Sequence, residues 1–284
     1  ALLTTQVQGL TATSVAELAD TQVAALTTAQ VGALSTTLLN SLADTQIAGF
    51  TTTQIGALSS TQAAGLNATS ISALTETQAG ALTATQIGAI DETDIGELTE
   101  TQVGALTTTQ VQSISSTNLA AMAETQIAAL TATQIGAVST AGIAAMADTQ
   151  VAAMTTTQVG ALSTAQLQAF TATNLAALDA TQVGVLNATQ VSALTATQLG
   201  DLGSGDIAEF TTTQIAAFST TQVRGLTSVA DLAETQVAAF TATQVQAFSA
   251  TNVSDLADTQ VAAMTTTQVA AFNTTQLAAL DQTD

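Results

Sequence analysis

One octapeptide, Thr101-Gln102-Val103-Gly104-Ala105-Leu106-Thr107-Thr108, determines the fold, because variants of it recur from Thr5 to Gln282. We name its positions a to h, so that Thr101 is a, Val103 is c, Leu106 is f and Thr107 is g. The chain carries 35 copies, and positions c and f are apolar in every one of them. Such a strict short period predicts a repeat array in which each copy packs only against its neighbours.

The pattern within one copy predicts a short helix. An uninterrupted α-helix would rotate each copy by about 80° from the last and spread c and f around its whole surface. A β-strand would place c and f on opposite faces, since they have opposite parity. A helix that is broken once per copy keeps c and f three residues apart on one face.

Capping residues indicate where each helix begins. Position g is Thr, Ser, Asn, Asp or Gly in every copy that has Gln at b and retains a g, and the next b follows three residues later. Thr107 and Gln110 therefore form a capping box, in which each side chain bonds the backbone N–H of the other residue. The helix then runs from h to f, about seven residues, which is too short to be stable alone.

We therefore predict an all-α superhelical solenoid with one helix per octapeptide. A β-solenoid with eight-residue sides is the alternative, because Val, Ile and Thr favour strands and a bulge would change the parity of c and f. A low-complexity chain without a fold is disfavoured, since it has no reason to keep c and f apolar in all copies.

A second, longer period in the residues at b predicts how many copies form one turn of the superhelix. Gln occupies b in 25 copies, and the ten exceptions are three or four copies apart, with nine intervals that span 30 copies. This mean predicts about 3.3 helices per turn in a single solenoid over residues 1–284, with one short copy at 221–226 that lacks g and h. The exceptions at b are Ser14, Leu38, Ser70, Asp94, Asn118, Gly142, Asn174, Asp206, Ser228 and Asn252.

Charge and composition exclude several classes of function. The chain has 21 acidic residues against one cation, Arg224, for a net charge of −20. Such a polyanion does not bind nucleic acid through phosphates, and anionic lipid repels it. No run of eighteen apolar residues is present, so no membrane insertion is expected. The chain also lacks His, Cys, Lys and Tyr, the usual bases and nucleophiles, so we expect neither an enzyme nor a cofactor.

Most acidic residues fall in the ten copies without Gln at b, which predicts an acidic stripe along one side of the solenoid. Where g is Ala, an acid at h, such as Asp20, is expected to cap the next helix one residue late. Neighbouring turns should lie about 8–10 Å apart, too far for their carboxylates to share one Ca²⁺, so calcium binding should be weak and diffuse. The candidate stripe consists of Glu17, Asp20, Asp44, Glu76, Asp94, Glu97, Glu100, Glu124, Asp148, Asp206, Glu209, Asp231, Glu234, Asp255 and Asp258.

The phrase Leu82-Thr83-Ala84-Thr85-Gln86-Ile87-Gly88-Ala89-Ile90 resembles the Thr-Thr-Gln octapeptide arrays of very large secreted bacterial surface and adhesin-like proteins. The resemblance covers nearly the whole chain and carries no catalytic motif. It implies an extracellular, structural region of a cell-surface protein, a stalk or filament whose partners are further copies or other surface-protein chains. The chain begins in mid-phrase, at Ala1, so we expect it to be a piece of something longer.

A binding module is the alternative function. The acidic stripe would then bind a divalent cation or a partner protein. Alternatively, the chain would bind ice, because rows of Thr side chains, such as Thr51-Thr52-Thr53, would order water molecules at the ice surface. Against ice binding, each Thr already has a capping or packing role.

Overall fold

The computed structural model describes residues 2–280, and all regular structure in this range is α-helical. Thirty-four helices of four to six residues follow one another, and none of the described residues forms a strand. The prediction of an all-α solenoid of short helices is confirmed, and the β-solenoid alternative is wrong.

In the longer helices, such as Glu100–Ala105, the helix ends where two consecutive residues, f and g, are extended. Leu106 has φ −63° and ψ 142°, and Thr107, which caps the next helix, has φ −74° and ψ 158°. No described residue has a positive φ or a cis peptide bond. The predicted length of about seven residues is therefore too long, since f leaves the helix and each helix spans only h to c, d or e.

The chain divides into two compact units, Ala1–Met146 and Ala147–Asp284. In the first unit each helix packs against a helix three places away along the chain, as Glu76–Ala81 does with Glu100–Ala105. Its helices are α1 Thr4–Gln8, α2 Ala12–Ala16, α3 Asp20–Ala24, α4 Thr28–Gly32, α5 Thr36–Leu39, α6 Asp44–Ala48, α7 Thr52–Gly56, α8 Ser60–Ala64, α9 Ala68–Ser72, α10 Glu76–Ala81, α11 Ala84–Ile87, α12 Glu92–Ile95, α13 Glu100–Ala105, α14 Thr108–Ser113, α15 Ser116–Ala121, α16 Glu124–Ala129, α17 Ala132–Ala137 and α18 Thr140–Ala145.

The second unit repeats this packing, for instance between Ala196–Gly200 and Thr220–Gly225. Its helices are α19 Asp148–Ala152, α20 Thr156–Gly160, α21 Thr164–Ala169, α22 Ala172–Ala176, α23 Ala180–Gly184, α24 Ala188–Ala193, α25 Ala196–Gly200, α26 Ser204–Ile207, α27 Thr212–Ala217, α28 Thr220–Gly225, α29 Glu234–Val237, α30 Ala242–Val245, α31 Ala250–Ser254, α32 Asp258–Ala262, α33 Thr266–Val269 and α34 Thr274–Leu277.

The copy that begins at Thr227 forms no helix, so the prediction of one helix per octapeptide is wrong at this place. A helix normally begins at h and takes its N-cap from g of the preceding copy. The preceding copy ends at Leu226 and has lost both positions, so this copy has neither a cap nor a first helical residue. Its apolar residues Val229 and Leu232 are nevertheless buried.

Positions c and f form the core of both units. In the first unit Val103 and Leu106 are buried, as are their counterparts in most other copies. Burial of each such side chain stabilises the fold by about 1.5–3 kcal/mol. In the second unit Phe210 and Phe218, at f of adjacent copies, pack edge to face with ring centroids 5.3 Å apart.

The predicted late caps at h are wrong. Helix α3 begins at Asp20 itself, so this acid is the first helical residue, and Ala19 is an N-cap without a side-chain bond. The side-chain oxygen of Gln22 accepts a hydrogen bond from the Ala19 N–H at 2.8 Å. Since Gln at b supplies half of the capping box, the helix starts in register without a polar residue at g.

Two glycines at position d test the close packing of helices in the second unit. Gly200 lies against Gly225, and a methyl group at Gly200 would collide with the Gly225 carbonyl, whereas one at Gly184 would meet no atom within 4 Å. Both end their helices. Gly184→Ala should leave the free energy of unfolding unchanged or raise it by up to about 1 kcal/mol. Gly200→Ala should lower it by about 1–3 kcal/mol in denaturant titrations. Equal effects would contradict this packing.

Candidate functional site

The most elaborate polar arrangement is made by Gln at b, which joins neighbouring turns. The side-chain nitrogen of Gln78 donates to the carbonyl oxygens of Ile47 and Phe50, at 2.8 and 2.7 Å. Its side-chain oxygen accepts from the Thr75 N–H at 2.7 Å. One buried side-chain amide thus gives a hydrogen-bond partner to a backbone N–H at the start of its own helix. It does the same for backbone carbonyl groups at the end of a helix four copies earlier.

This contact recurs so regularly that we call it the amide ladder: Gln at b, with its nitrogen on the carbonyl oxygen of f four copies earlier. Most rungs add a bond to the carbonyl of c or d. The rungs within the first unit are Gln46, Gln54, Gln62, Gln78, Gln86, Gln102, Gln110, Gln126 and Gln134. Those within the second are Gln182, Gln190, Gln198, Gln214, Gln222, Gln236, Gln244, Gln260, Gln268 and Gln276.

A turn therefore holds between three and four copies, since helices pack three places apart and the ladder reaches four copies back. This agrees with the predicted 3.3 copies per turn. The carbonyl groups at the end of a helix lack partners within the helix, and a buried polar group without a partner costs about 1–3 kcal/mol. Among the described residues no buried side-chain nitrogen or oxygen lacks a partner.

The short copy does not interrupt the ladder. Gln236 donates to the Phe210 carbonyl oxygen at 2.6 Å, across 26 residues, where Gln78 spans 28. The copy without a helix therefore still occupies one full place in its turn.

In the copies without Gln, some shorter side chains at b make the same bond to the previous turn and others make different contacts. The side-chain nitrogen of Asn118 donates to the carbonyl oxygen of Ile90, at f four copies earlier, at 2.7 Å, and so replaces Gln in the ladder. The Ser70 hydroxyl donates to the side-chain oxygen of Asn40 at 3.0 Å. Helices α9, α12, α15 and α18, which all belong to such copies, pack successively against one another. In the first unit these copies are therefore neighbours, although they lie 24 or more residues apart in sequence.

The fifteen predicted stripe residues occupy three positions of the repeat. Eight are the first residue of a helix, where a carboxylate is favourable for the helix dipole: Asp20, Asp44, Glu76, Glu100, Glu124, Asp148, Glu234 and Asp258. Five lie at e, which follows the helix in four of these copies and belongs to the copy without a helix at Asp231: Glu17, Glu97, Glu209, Asp231 and Asp255. Two, Asp94 and Asp206, lie at b.

The structure brings few of these acids into contact. All are exposed except Asp94, Asp206 and Glu209, which are half-buried. Within residues 2–280 no three acidic side chains are placed so that they could hold a metal ion. The contacts that exist are with polar neighbours: Asp148 accepts from the Asn174 amide at 2.9 Å, and Asp231 accepts from the Ser204 hydroxyl.

Three acids have a shifted pKa. Partial burial, followed by repulsion from Asp91 and Glu97, raises the pKa of Asp94. Burial and then Asp206 and Asp179 raise the pKa of Glu209 in the same way. A carboxyl with a raised pKa stabilises the fold at low pH, and this contribution is lost as the pH rises through its folded value. Asp179 behaves oppositely, since a hydrogen bond from the Thr181 hydroxyl lowers its pKa.

Sequence reasoning missed the bond from Gln to the previous turn and assigned Gln only to the capping box. A signal was present. Glu serves a capping box as well as Gln does, yet no copy of this acidic chain has Glu at b. A position that requires the amide nitrogen as a donor explains this absence.

Comparison with known proteins supports the repeat array. The family model of the ALTTAQ repeat matches two segments, residues 127–164 and 199–230. No curated protein matches the chain. Within residues 2–280, every helix is too short to cross a membrane.

Two substitutions in α14 test the ladder with the same change of charge. Gln110 is buried and donates to the Leu82 carbonyl at 2.6 Å, whereas Gln112 is exposed. Gln110→Glu removes the donor and places a carboxylate against carbonyl oxygens, so near neutral pH it should lower the free energy of unfolding by about 3 kcal/mol. Gln112→Glu should change it by less than about 0.5 kcal/mol.

The decrease in the free energy of unfolding caused by Gln110→Glu should also depend on pH. Burial raises the pKa of this carboxyl above the unfolded value of about 4.3. The loss relative to the parent chain should therefore be smallest below that pH, where the protonated acid can donate, and should grow as the pH rises. Denaturant titrations at several pH values measure it. A pH-independent loss, or an equal loss in Gln112→Glu, would show that the amide nitrogen is not what position b requires.

Proposed function

We propose that this chain is a non-enzymatic structural repeat region, which serves as a stalk or filament-forming segment of an extracellular, cell-surface protein. The amide ladder carries this proposal. Each copy with Gln at b brings its own core residues and the amide that bonds both its own helix start and the previous turn, so copies can be added without any new kind of contact. The match to the ALTTAQ repeat supports a structural repeat region.

Catalysis has no part in this proposal. The chain contains no His, Cys, Lys or Tyr, and its acids lie mostly exposed at the starts and ends of helices. Carboxylates in such places are solvated and need no chemical role to explain them. We likewise propose that no cofactor is bound.

The extension role predicts how the dimensions of the molecule change with copy number. Residues 101–132 contain four copies, including one without Gln at b. Insertion of one, two or three further tandem copies of this segment should increase the largest dimension in equal steps and leave the radius of gyration of the cross-section unchanged. Small-angle X-ray scattering measures both quantities. A Gly/Ser insertion of equal length is the control, since a flexible coil adds no ordered mass. A cross-section that grows with each insertion would contradict the extension role.

The second candidate function is a binding module, which would bind a divalent cation, ice or a partner protein. The acidic stripe is the feature that supports it. Under the structural role, CaCl₂ and MgCl₂ at equal ionic strength should raise the melting temperature equally, because both only screen repulsion within the polyanion. Calorimetry measures this, and a thermal-hysteresis assay with and without calcium should show no effect on ice growth. A rise specific to calcium, or thermal hysteresis, would favour the binding module.

A further inference from the structure

Four asparagines of the array begin an Asn-X-Thr or Asn-X-Ser triplet in which X is not Pro. This triplet is the acceptor signal for attachment of a sugar to the Asn side chain, and a usable acceptor lies at the surface. The surroundings of each Asn therefore decide which triplets can be modified in the folded chain. The four are Asn67-Ala68-Thr69, Asn187-Ala188-Thr189, Asn252-Val253-Ser254 and Asn273-Thr274-Thr275.

Three of these asparagines, Asn67, Asn187 and Asn273, lie at g and are exposed. Each is the N-cap of a helix. The side-chain oxygen of Asn67 accepts from the Ser70 N–H at 2.9 Å, and that of Asn187 accepts from the Gln190 N–H at 3.0 Å. The side-chain nitrogens of the three caps donate to none of the residues that the structure describes. The oxygen of each amide is thus used by the fold, and its nitrogen is not.

The triplet at Asn252 is the opposite case. Asn252 lies at b and is 0% exposed. Its side-chain nitrogen donates to the Leu226 carbonyl oxygen at 3.2 Å, as a rung of the ladder, and its side-chain oxygen accepts from the Ser249 hydroxyl at 2.8 Å. A sugar on this nitrogen would replace the bond to Leu226 and would have no space. The folded chain should therefore carry no sugar at Asn252, which provides an internal control.

Attachment of a sugar is compatible with an exposed cap. The Asn side-chain nitrogen forms a bond to the anomeric carbon of a sugar that is activated as a phosphate or pyrophosphate ester. The bond from that carbon to the phosphate oxygen breaks, the phosphate leaves with the electron pair, and one amide proton passes to a base of the transferase. The product is still an amide, so its oxygen still caps the helix. Beside Asn187 an open groove of about 540 Å³, lined by Gly160 and Ser163 among others, leaves space for the sugar.

We propose that the exposed asparagines at g, Asn67, Asn187 and Asn273, are attachment sites for N-linked sugars. Because Thr at a follows g by two residues in most copies, Asn at g is all that a copy needs to become an acceptor. The sugars add bulk and solubility at the surface, and they leave the core and the ladder unchanged. The inference rests on the proposed extracellular role, since this modification is typical of secreted proteins.

The test is mass spectrometry of peptides from the full chain, isolated from the cells that make it. Cleavage at acidic residues places Asn67, Asn187 and Asn252 on different peptides. The first two peptides should carry a sugar, and the third should carry none. An inhibitor of lipid-linked sugar synthesis should abolish the modification if the donor is lipid-linked and leave it if the donor is a nucleotide sugar. Unmodified peptides at both Asn67 and Asn187, or a sugar on Asn252, would overturn the proposal.

Matched variants separate the acceptor from the cap. Asn67→Thr restores the commonest residue at g and keeps the cap, so it should lose the sugar and remain as helical by circular dichroism as the parent chain. Thr69→Ala keeps the Asn cap but removes the hydroxyl of the triplet, so it should lose the sugar too, whereas Thr69→Ser should retain it. Thr107→Asn, exposed at g with Thr109 two residues later, should gain one. A sugar that persists in Thr69→Ala, or no gain in Thr107→Asn, would contradict the assignment of g as the site.

The extracellular role is measured separately, by antibody binding to the chain on intact cells. A chain that binds antibody and carries no sugar overturns the modification and leaves the surface role standing. A chain that antibody reaches only after the cells are opened contradicts the surface role, whatever its side chains carry.

Discussion

The fold depends on giving partners to the backbone groups at the ends of very short helices. In a helix of four to six residues, the N–H and C=O groups without a partner in the helix outnumber the paired ones. Gln at b satisfies both kinds, since its oxygen accepts at the start of one helix and its nitrogen donates to the end of another. The apolar residues at c and f then bury the surface that holds the turns together. Neither contribution suffices alone, because helices of this length do not form in isolation.

Much of this fold was predictable because its signals are local. Thr107 and Gln110 are three residues apart, so their capping box is visible in the sequence, as is the shared face of Val103 and Leu106. The helix length was not predictable from these signals, since the extended backbone at f depends on packing. The ladder bond also escaped prediction, because Gln78 and Phe50 are 28 residues apart and meet only once the turn is closed. The interaction role of the acidic stripe stays a prediction.

The short copy at 221–226 shows that helix formation within a copy and the register between turns depend on different residues, although the two occur together in the other copies. Loss of g and h abolishes the helix that should begin after Leu226, because the cap and the first helical residue are missing. Register survives, since Val229 and Leu232 stay buried and Gln236 still finds the Phe210 carbonyl. The register between neighbouring turns is thus set by the apolar residues at c and f together with the hydrogen bonds of the amide ladder. It does not require that every copy form a helix.

A ladder of identical rungs would leave the register of the turns degenerate, since a slip by one copy would exchange one Gln for another. The copies without Gln reduce this degeneracy in the first unit, because their helices α9, α12, α15 and α18 pack successively against one another. At Gly142 even a methyl group would lie 3.0 Å from Val138 and 3.1 Å from Leu119. A slip that brought a Gln from a neighbouring copy to this place would crowd it against Leu119. The irregular rhythm of three and four copies therefore favours one register of the turns.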